Sequence, residues 1–238
     1  MRGFDPVVLQ EKTISYPEVA GLSKGIIWVD AFNRTTLNPT GAIAIYATST
    51  DSTGTVAIMN QQLLRVLTAA LAGDQSMANV TELVFERTQE LDLRNEIELD
   101  IIFQMNTNVT SGEIFIGLMD SQVTLTAIPT TQNYMGLLID KSVAATMKLV
   151  GGDGVAQTET DTGVTLAAST KYTLNIIWDG LNSATLNLYS GSDHTTLLAT
   201  AAVTALGSIK HLIQTFYANG EAVAAVDLRI ISWGYETR

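Results

Sequence analysis

The chain has 238 residues, of which 46% are hydrophobic and 16% charged, with a formal net charge of −11 and no cysteine. No disulfide or thiolate metal site can form, and the 13 basic residues are scattered, without the run that phosphate backbones or anionic membranes require. Nucleic acid and membrane surfaces are therefore excluded as expected partners, and the acidity suits solubility or docking on a basic protein surface.

This length is enough for one large β-domain. Charge is below the roughly 25% usual in soluble domains. Polarity comes instead from 31 threonines with Ser, Asn and Gln, and β-branched Thr suits the exposed face of a strand. Residues 1–25 contain Pro6 and Pro17, two of the four prolines, and lack the apolar core of a secretion signal. Their apolar side chains (Phe4, Val7, Val8, Leu9, Ile14 and Tyr16) keep no sustained period. An extended arm packing against a partner through these residues is expected over 1–25, followed by a β-sandwich domain over 26–238. No stretch approaches the roughly 20 apolar residues of a membrane helix. Asn33, Asn79 and Asn108 each begin an Asn-x-Thr triplet, read as chance matches in a Thr-rich chain.

From Ile26 onward the pattern is of short strands separated by turn signals. Gly25-Ile-Ile-Trp-Val opens the domain, and strands are expected over 42–48 and 55–59, around the turn-rich 49–54. Residues 62–72 fit a helix through Leu63, Val66, Leu67, Ala70 and Leu71, and equally a strand through Leu64, Val66 and Thr68. Further strands are expected over 82–87, 95–105, 113–119, 134–140 and 145–150, then a tight turn at Gly151-Gly-Asp-Gly154 and a polar loop over 155–170. Tyr172, Leu174, Ile176 and Trp178 then alternate with polar residues. Asp179-Gly180 turns the chain, and Ala184, Leu186 and Leu188 resume the alternation. That is an antiparallel hairpin with one buried and one wet face, and it directs Trp178 inward. A strand over 195–203, a helical turn within 206–212 and strands over 214–218 and 223–233 complete the chain. So many short strands indicate an all-β antiparallel sandwich of the jelly-roll type.

Three segments carry a family resemblance. Trp28-Val-Asp-Ala-Phe-Asn-Arg34, the hairpin from Lys171 to Tyr189, and Val226-Asp-Leu-Arg-Ile-Ile-Ser-Trp233 resemble the opening strand, late hairpin and closing strand of concanavalin A-like (laminin G-like) sandwiches. Modules of this kind occur in phage and bacterial surface proteins. The resemblance implies two curved antiparallel sheets, in a family that spans sugar binding, glycoside hydrolysis and structural roles, so the fold does not choose the function.

The sharpest catalytic candidate is Glu96-Ile-Glu-Leu-Asp100. On a strand its three carboxylates share a face at roughly 6–7 Å intervals, loosely compatible with the roughly 5–5.5 Å of a retaining glycosidase pair. It is similar to the Glu-x-Asp-x-x-Glu strand of laminarinase-type hydrolases, but Glu98 stands where Asp is expected and Ile101 or Ile102 where the second Glu should be. A charged solvent face opposite Ile97, Leu99, Ile101 and Phe103 is the simpler reading. His194 lies in a polar turn and His211 on the helical turn; two isolated histidines make neither a zinc set nor a triad. Gly151-Gly-Asp-Gly154 lacks the Lys-Ser/Thr of a phosphate loop. Asp153, Glu159, Asp161 and Asp179 could together attract calcium, though their spacing is not diagnostic. Met105, Met119, Met135 and Met147 read as core filling.

No catalytic, cofactor or metal site is assigned on this basis. The expected function is structural and non-enzymatic: a phage capsid accessory or decoration protein, made in the host cytoplasm and carried on the virion, that assembles as a homo-oligomer with capsid or other virion proteins. The alternatives are a carbohydrate-binding module or fibre domain, presenting an exposed Trp or Tyr to a glycan, and a glycoside hydrolase using Glu96, Glu98 or Asp100.

Overall fold

A computed structural model of the chain describes residues 27–30, 32, 46–50, 53–60, 63–70, 73–80, 91–92, 96–106, 112–120, 133–140, 146–204, 211–220 and 225–237. Among these, every helix-or-strand element is a strand, and the strands form two antiparallel sheets. Sheet I runs in the order β14 (Thr196–Thr204), β13 (Ser183–Ser190), β12 (Lys171–Asp179), β7 (Glu96–Met105), β16 (Asp227–Thr237), β4 (Leu63–Leu67) and β3 (Thr55–Met59), with β1 (Ile27–Asp30) also on β16. Sheet II runs β11 (Gln157–Thr165), β10 (Thr146–Asp153), β9 (Asn133–Asp140), β8 (Glu113–Met119), β15 (His211–Asn219), β5 (Gln75–Val80) and β2 (Tyr46–Thr50), with β6 (Leu91–Asp92) on β15.

The period-two pattern builds the core between the sheets. On β7, Ile97, Leu99, Ile101, Phe103 and Met105 are buried, and on the paired β12 so are Tyr172, Leu174, Ile176 and Trp178. Facing them from sheet II are Ile114, Ile116, Leu118, Met135, Leu137, Ile139 and Phe216. Each such side chain contributes about 1.5–3 kcal/mol on burial. The Trp233 indole N–H spans the layers, donating to the Tyr46 hydroxyl at 2.7 Å. Trp178 points inward as its alternation predicts, and the four methionines fill the interior.

β8 and β9 bury both faces, because Phe115, Met119, Tyr134 and Leu138 join Met77, Val150 and Tyr217 in a second apolar cluster outside sheet II. Their sequences are accordingly near-continuous apolar runs. Gly117 and Gly136 stand opposite each other in this pair, and a Cβ on either would press into the backbone of the other strand.

Several expectations need correction. Residues 155–170 are not a loop: Gln157–Thr165 is the edge strand β11. It was hidden because an edge strand exposed along most of its length needs no apolar alternation. Cross-strand polar contacts hold it instead, Lys148 to Glu159 at 2.7 Å and Thr146 to Asp161 at 2.9 Å. Gly151 to Asp153 belong to β10, and the turn falls at Gly154-Val155, where Asp153 Oδ1 accepts from the N–H groups of Val155 and Ala156. Gly151 is required because a Cβ there would collide with Val203 of β14, where the two sheets meet at their edge. The ambiguous 62–72 contains a strand, β4, with Leu64 and Val66 in the core. His211 and Leu212 begin a strand paired with Asp92 and Leu91 rather than lying on a helical turn. β5 and β6 were not expected. The strand expected over 82–87 and the arm residues Phe4, Val7, Val8, Leu9, Ile14 and Tyr16 lie outside the described residues.

Candidate functional site

The outward face of sheet I carries a hydrogen-bonded ladder over four adjacent strands. Register places Asp100 of β7 opposite Asn175 of β12, Asn175 opposite Asn187 of β13, and Asn187 opposite Thr200 of β14. A carboxylate only accepts, so Asn175 must present its amide N–H groups to the acids and its carbonyl to Asn187. Asn175 Nδ2 donates to Asp100 Oδ1 at 2.9 Å and to Glu98 Oε1 at 3.2 Å. Asn187 Nδ2 donates to Asn175 Oδ1 at 3.1 Å, and the Thr200 hydroxyl donates to Asn187 Oδ1 at 2.8 Å. Donors thus run in one direction toward the acids, an arrangement in which each bond polarises the next.

The β13–β14 connection closes over this ladder. Alternation along β13 puts Tyr189 on the outer face with Thr185 and Asn187, and the paired β14 carries a bulge opposite it, where Leu198 is skipped in the register. Gly191 then takes a positive φ of 85°, its N–H donating to the Lys171 carbonyl while its own carbonyl accepts from Thr173 Oγ1. Asp193 Oδ1 accepts from both Thr195 N–H and Thr195 Oγ1. So held, His194 sits at φ 55°, a left-handed conformation that a histidine adopts at some cost. Its imidazole stacks on Tyr189, with centroids 4.7 Å apart, and its Nε2 lies 3.0 Å from Asp100 Oδ1. Asn175 is consequently only 1% exposed, whereas the Asp100 and His194 side chains remain 42% and 38% exposed. Burial raises the Asp100 carboxyl above its ordinary value; the Asn175 hydrogen bond and His194 offset part of this, and the charge of Glu98 adds to it.

Glu96, Glu98 and Asp100 do share the outward face, as the spacing predicts. Sequence reasoning missed His194, Tyr189 and the two asparagines. The hairpin register alone could have paired Asn175 with Asn187, but nothing in the sequence joins His194 to Asp100.

Tyr189 has a further distinction. Among the described residues whose side chains are placed, it is the aromatic residue that is not buried; Trp178 and Trp233 lie in the core. On the outer face of sheet II, Phe115, Tyr134 and Tyr217 are covered and offer no open platform. Burial, then the charge of Glu159, pushes the Tyr134 phenol up to about 12. Burial, then Glu113, raises Tyr217 beyond the ordinary range, with Asn219 opposing. Glu113 is itself pushed up to about 7 by burial and by the neighbouring Asp140.

The four acids considered for calcium do not fit one. Asp153 is taken by its own turn, and Asp161 accepts from Gly163 N–H and Thr146. Glu159 pairs with Lys148, and Asp179 Oδ1 caps the N–H groups of Leu181, Asn182 and Ser183. No group of three or more His, Cys, Asp or Glu is gathered for a metal among the described residues.

Residues 74–230 match the model of the SO2946-like, C-terminal domain family. The chain belongs to that family. A crystal structure of SO2946 from Shewanella oneidensis MR-1, a protein of unknown function, is similar over 98% of this chain and 94% of that one, with 15% identity and a TM-score of 0.61. Peanut lectin is similar over 91% of this chain and 98% of its own, at 10% identity and a TM-score of 0.62. The exoplasmic/lumenal domain of VIP36, in a form bound to Ca2+ and Man3GlcNAc, is similar over 87% of this chain and 89% of its own, at 11% identity and a TM-score of 0.58. No curated protein matches the chain. The SO2946-like domain is thus a legume-lectin-like, concanavalin A-like sandwich, as its hairpin and flanking strands suggested.

Proposed function

We propose that this chain is a non-catalytic carbohydrate-binding domain whose site is the outward face of sheet I around Tyr189, His194, Asn175, Asn187, Asp100 and Glu98. The observation that carries the reading is that the one accessible aromatic ring among the placed side chains stands beside a fixed ladder of amides and carboxylates. Sugars are held by an apolar ring face together with directional acceptors and donors for their hydroxyls, and a ladder already locked by its own bonds loses little entropy on binding. The lectin names of the similar solved structures support the same class. They favour glycan binding over the capsid-accessory role expected from the sequence. Hydrolysis is disfavoured by placement. Glu98 and Asp100 already share one amide nitrogen, and the position of the second glutamate of the laminarinase-type strand is filled by Ile101, which is buried in the core, or by Ile102.

A glycan array probed with the full chain, with chromatography of the same glycans after incubation, tests this. A discrete set of bound glycans without shortened products is expected. Absence of binding to every glycan would overturn the reading. Released products that disappear in Glu98→Gln would replace it with hydrolysis.

A further inference from the structure

The carboxylate at the head of the sheet I ladder is held unequally. Asp100 receives two donors, Asn175 Nδ2 at 2.9 Å and His194 Nε2 at 3.0 Å, and both reach the same oxygen, Oδ1. Among the described residues nothing donates to Oδ2, although the side chain is 42% exposed. The two bonds fix the carboxylate, so Oδ2 is an oriented acceptor next to the stacked rings of His194 and Tyr189.

Positive charge is short around this oxygen. Glu98 accepts from the same amide, and its register partner on β16 is Glu236. Among the described residues, Lys171 and Arg229 lie opposite Gln104, four residues or about 13 Å along β7 from Asp100, with Arg65 beyond Arg229. Both arginines are engaged by Asp227. Burial raises the Asp100 carboxyl more than Asn175 and His194 lower it. The neighbouring donors are also spent, Asn175 Nδ2 on Asp100 and Glu98, and the Thr200 hydroxyl on Asn187. What this part of the face offers a ligand is an acceptor in a negative field, and a cationic donor answers both.

We propose that the glycan held here carries a free amino group, a hexosamine whose nitrogen is not acetylated, with its ammonium on Asp100 Oδ2 and its ring against the Tyr189–His194 stack. The proposal rests on the glycan reading of this face and adds the class of sugar. A neutral hydroxyl makes a bond to Oδ2 without meeting the charge, whereas an ammonium does both. An N-acetyl group removes the charge and leaves a single donor. A carboxylated or sulfated sugar meets Glu98, Asp100 and Glu236 as like charges.

The test uses calorimetry on the full chain, buffered below the pKa of the amine. Oligomers of glucosamine and of galactosamine are titrated beside their N-acetylated counterparts, with trilysine as a cation that is not a sugar. At least one free-amine oligomer is expected to bind saturably, roughly tenfold or more tightly than its acetylated counterpart. That preference should disappear in Asp100→Asn, checked for folding by its thermal transition, and persist in Glu159→Gln, the same change of charge on sheet II. Acetylated or neutral glycans bound as tightly as the amines would overturn the proposal and leave the glycan reading standing, a result that needs no variant. An amine preference that survives in Asp100→Asn would overturn it too. So would trilysine displacing the amino sugar at equal concentration, since the site would then read charge alone. Absence of binding to every glycan, amines included, removes both readings together.

Discussion

Replacing Asp227 by Asn is expected to cost about 2–4 kcal/mol at neutral pH and almost nothing in strong acid. Asp227 opens β16 with its side chain 5% exposed, and it meets Arg65 of β4 in a two-pronged contact, both N···O distances 2.9 Å. Arg229 adds bonds of 3.2 and 3.4 Å from the same strand. Removing one member of a buried ion pair costs about 3–5 kcal/mol, because the remaining charge is stranded. The arginine side chains are 27% and 19% exposed, and water softens that figure to about 2–4 kcal/mol. The pH dependence follows from the direction of the shift. Burial alone would raise the carboxyl, but the hydrogen bonds and charges of Arg65 and Arg229 outweigh it and hold it below the ordinary value. Such a group stabilises the fold fully above its unfolded value and loses that contribution as pH falls through the folded one. Urea unfolding of wild type and Asp227→Asn, at pH 7 and at about pH 2, reads both quantities. A cost below about 1 kcal/mol at pH 7, or one equal at both pH values, would refute the reasoning. The pair matters to the site because β16 lies against β7, the strand that presents Glu98 and Asp100.

Three further outcomes are expected. Tyr46→Phe removes the acceptor of the Trp233 indole N–H between the sheets and should lower stability by about 1–2 kcal/mol in urea unfolding, with little change in the m-value. Gly151→Ala drives a methyl into Val203 and should cost about 1–3 kcal/mol, read as a lower melting temperature, whereas Gly163→Ala, with open space but a positive φ of 68°, should cost only its backbone strain of roughly 1 kcal/mol. Tyr189→Ala should abolish glycan binding on the array while changing stability by less than about 1.5 kcal/mol, since the ring is only partly buried.

The hairpin from Lys171 to Ser190 was legible because one of its faces is core and the other is polar apart from Ile177; the wet face expected there is instead largely covered, with Thr173, Asn175 and Asn187 buried. β3 and β8 have the very limits their apolar runs suggest. β11 was not legible, since Gln157–Thr165 earns its place through backbone pairing and polar cross-strand contacts rather than burial. Gly151-Gly-Asp-Gly154 looked like a turn for its composition, yet Gly151 serves close packing against Val203 of β14. The site was half visible. The same-face acids follow from the period of a strand. His194 does not, because left-handed backbone at Gly191 and at His194 itself carries it to an acid far away in the chain.

The central claim concerns which face of the sandwich a glycan occupies. Backbone and side-chain NMR shifts, followed while a glycan selected on the array is titrated into the isotopically labelled chain, answer it directly. The account predicts perturbations concentrated at the Asn175 and Asn187 side-chain amides, the Tyr189 ring and the His194 imidazole. Shifts confined to the outer face of sheet II, or none at saturating glycan, would contradict it.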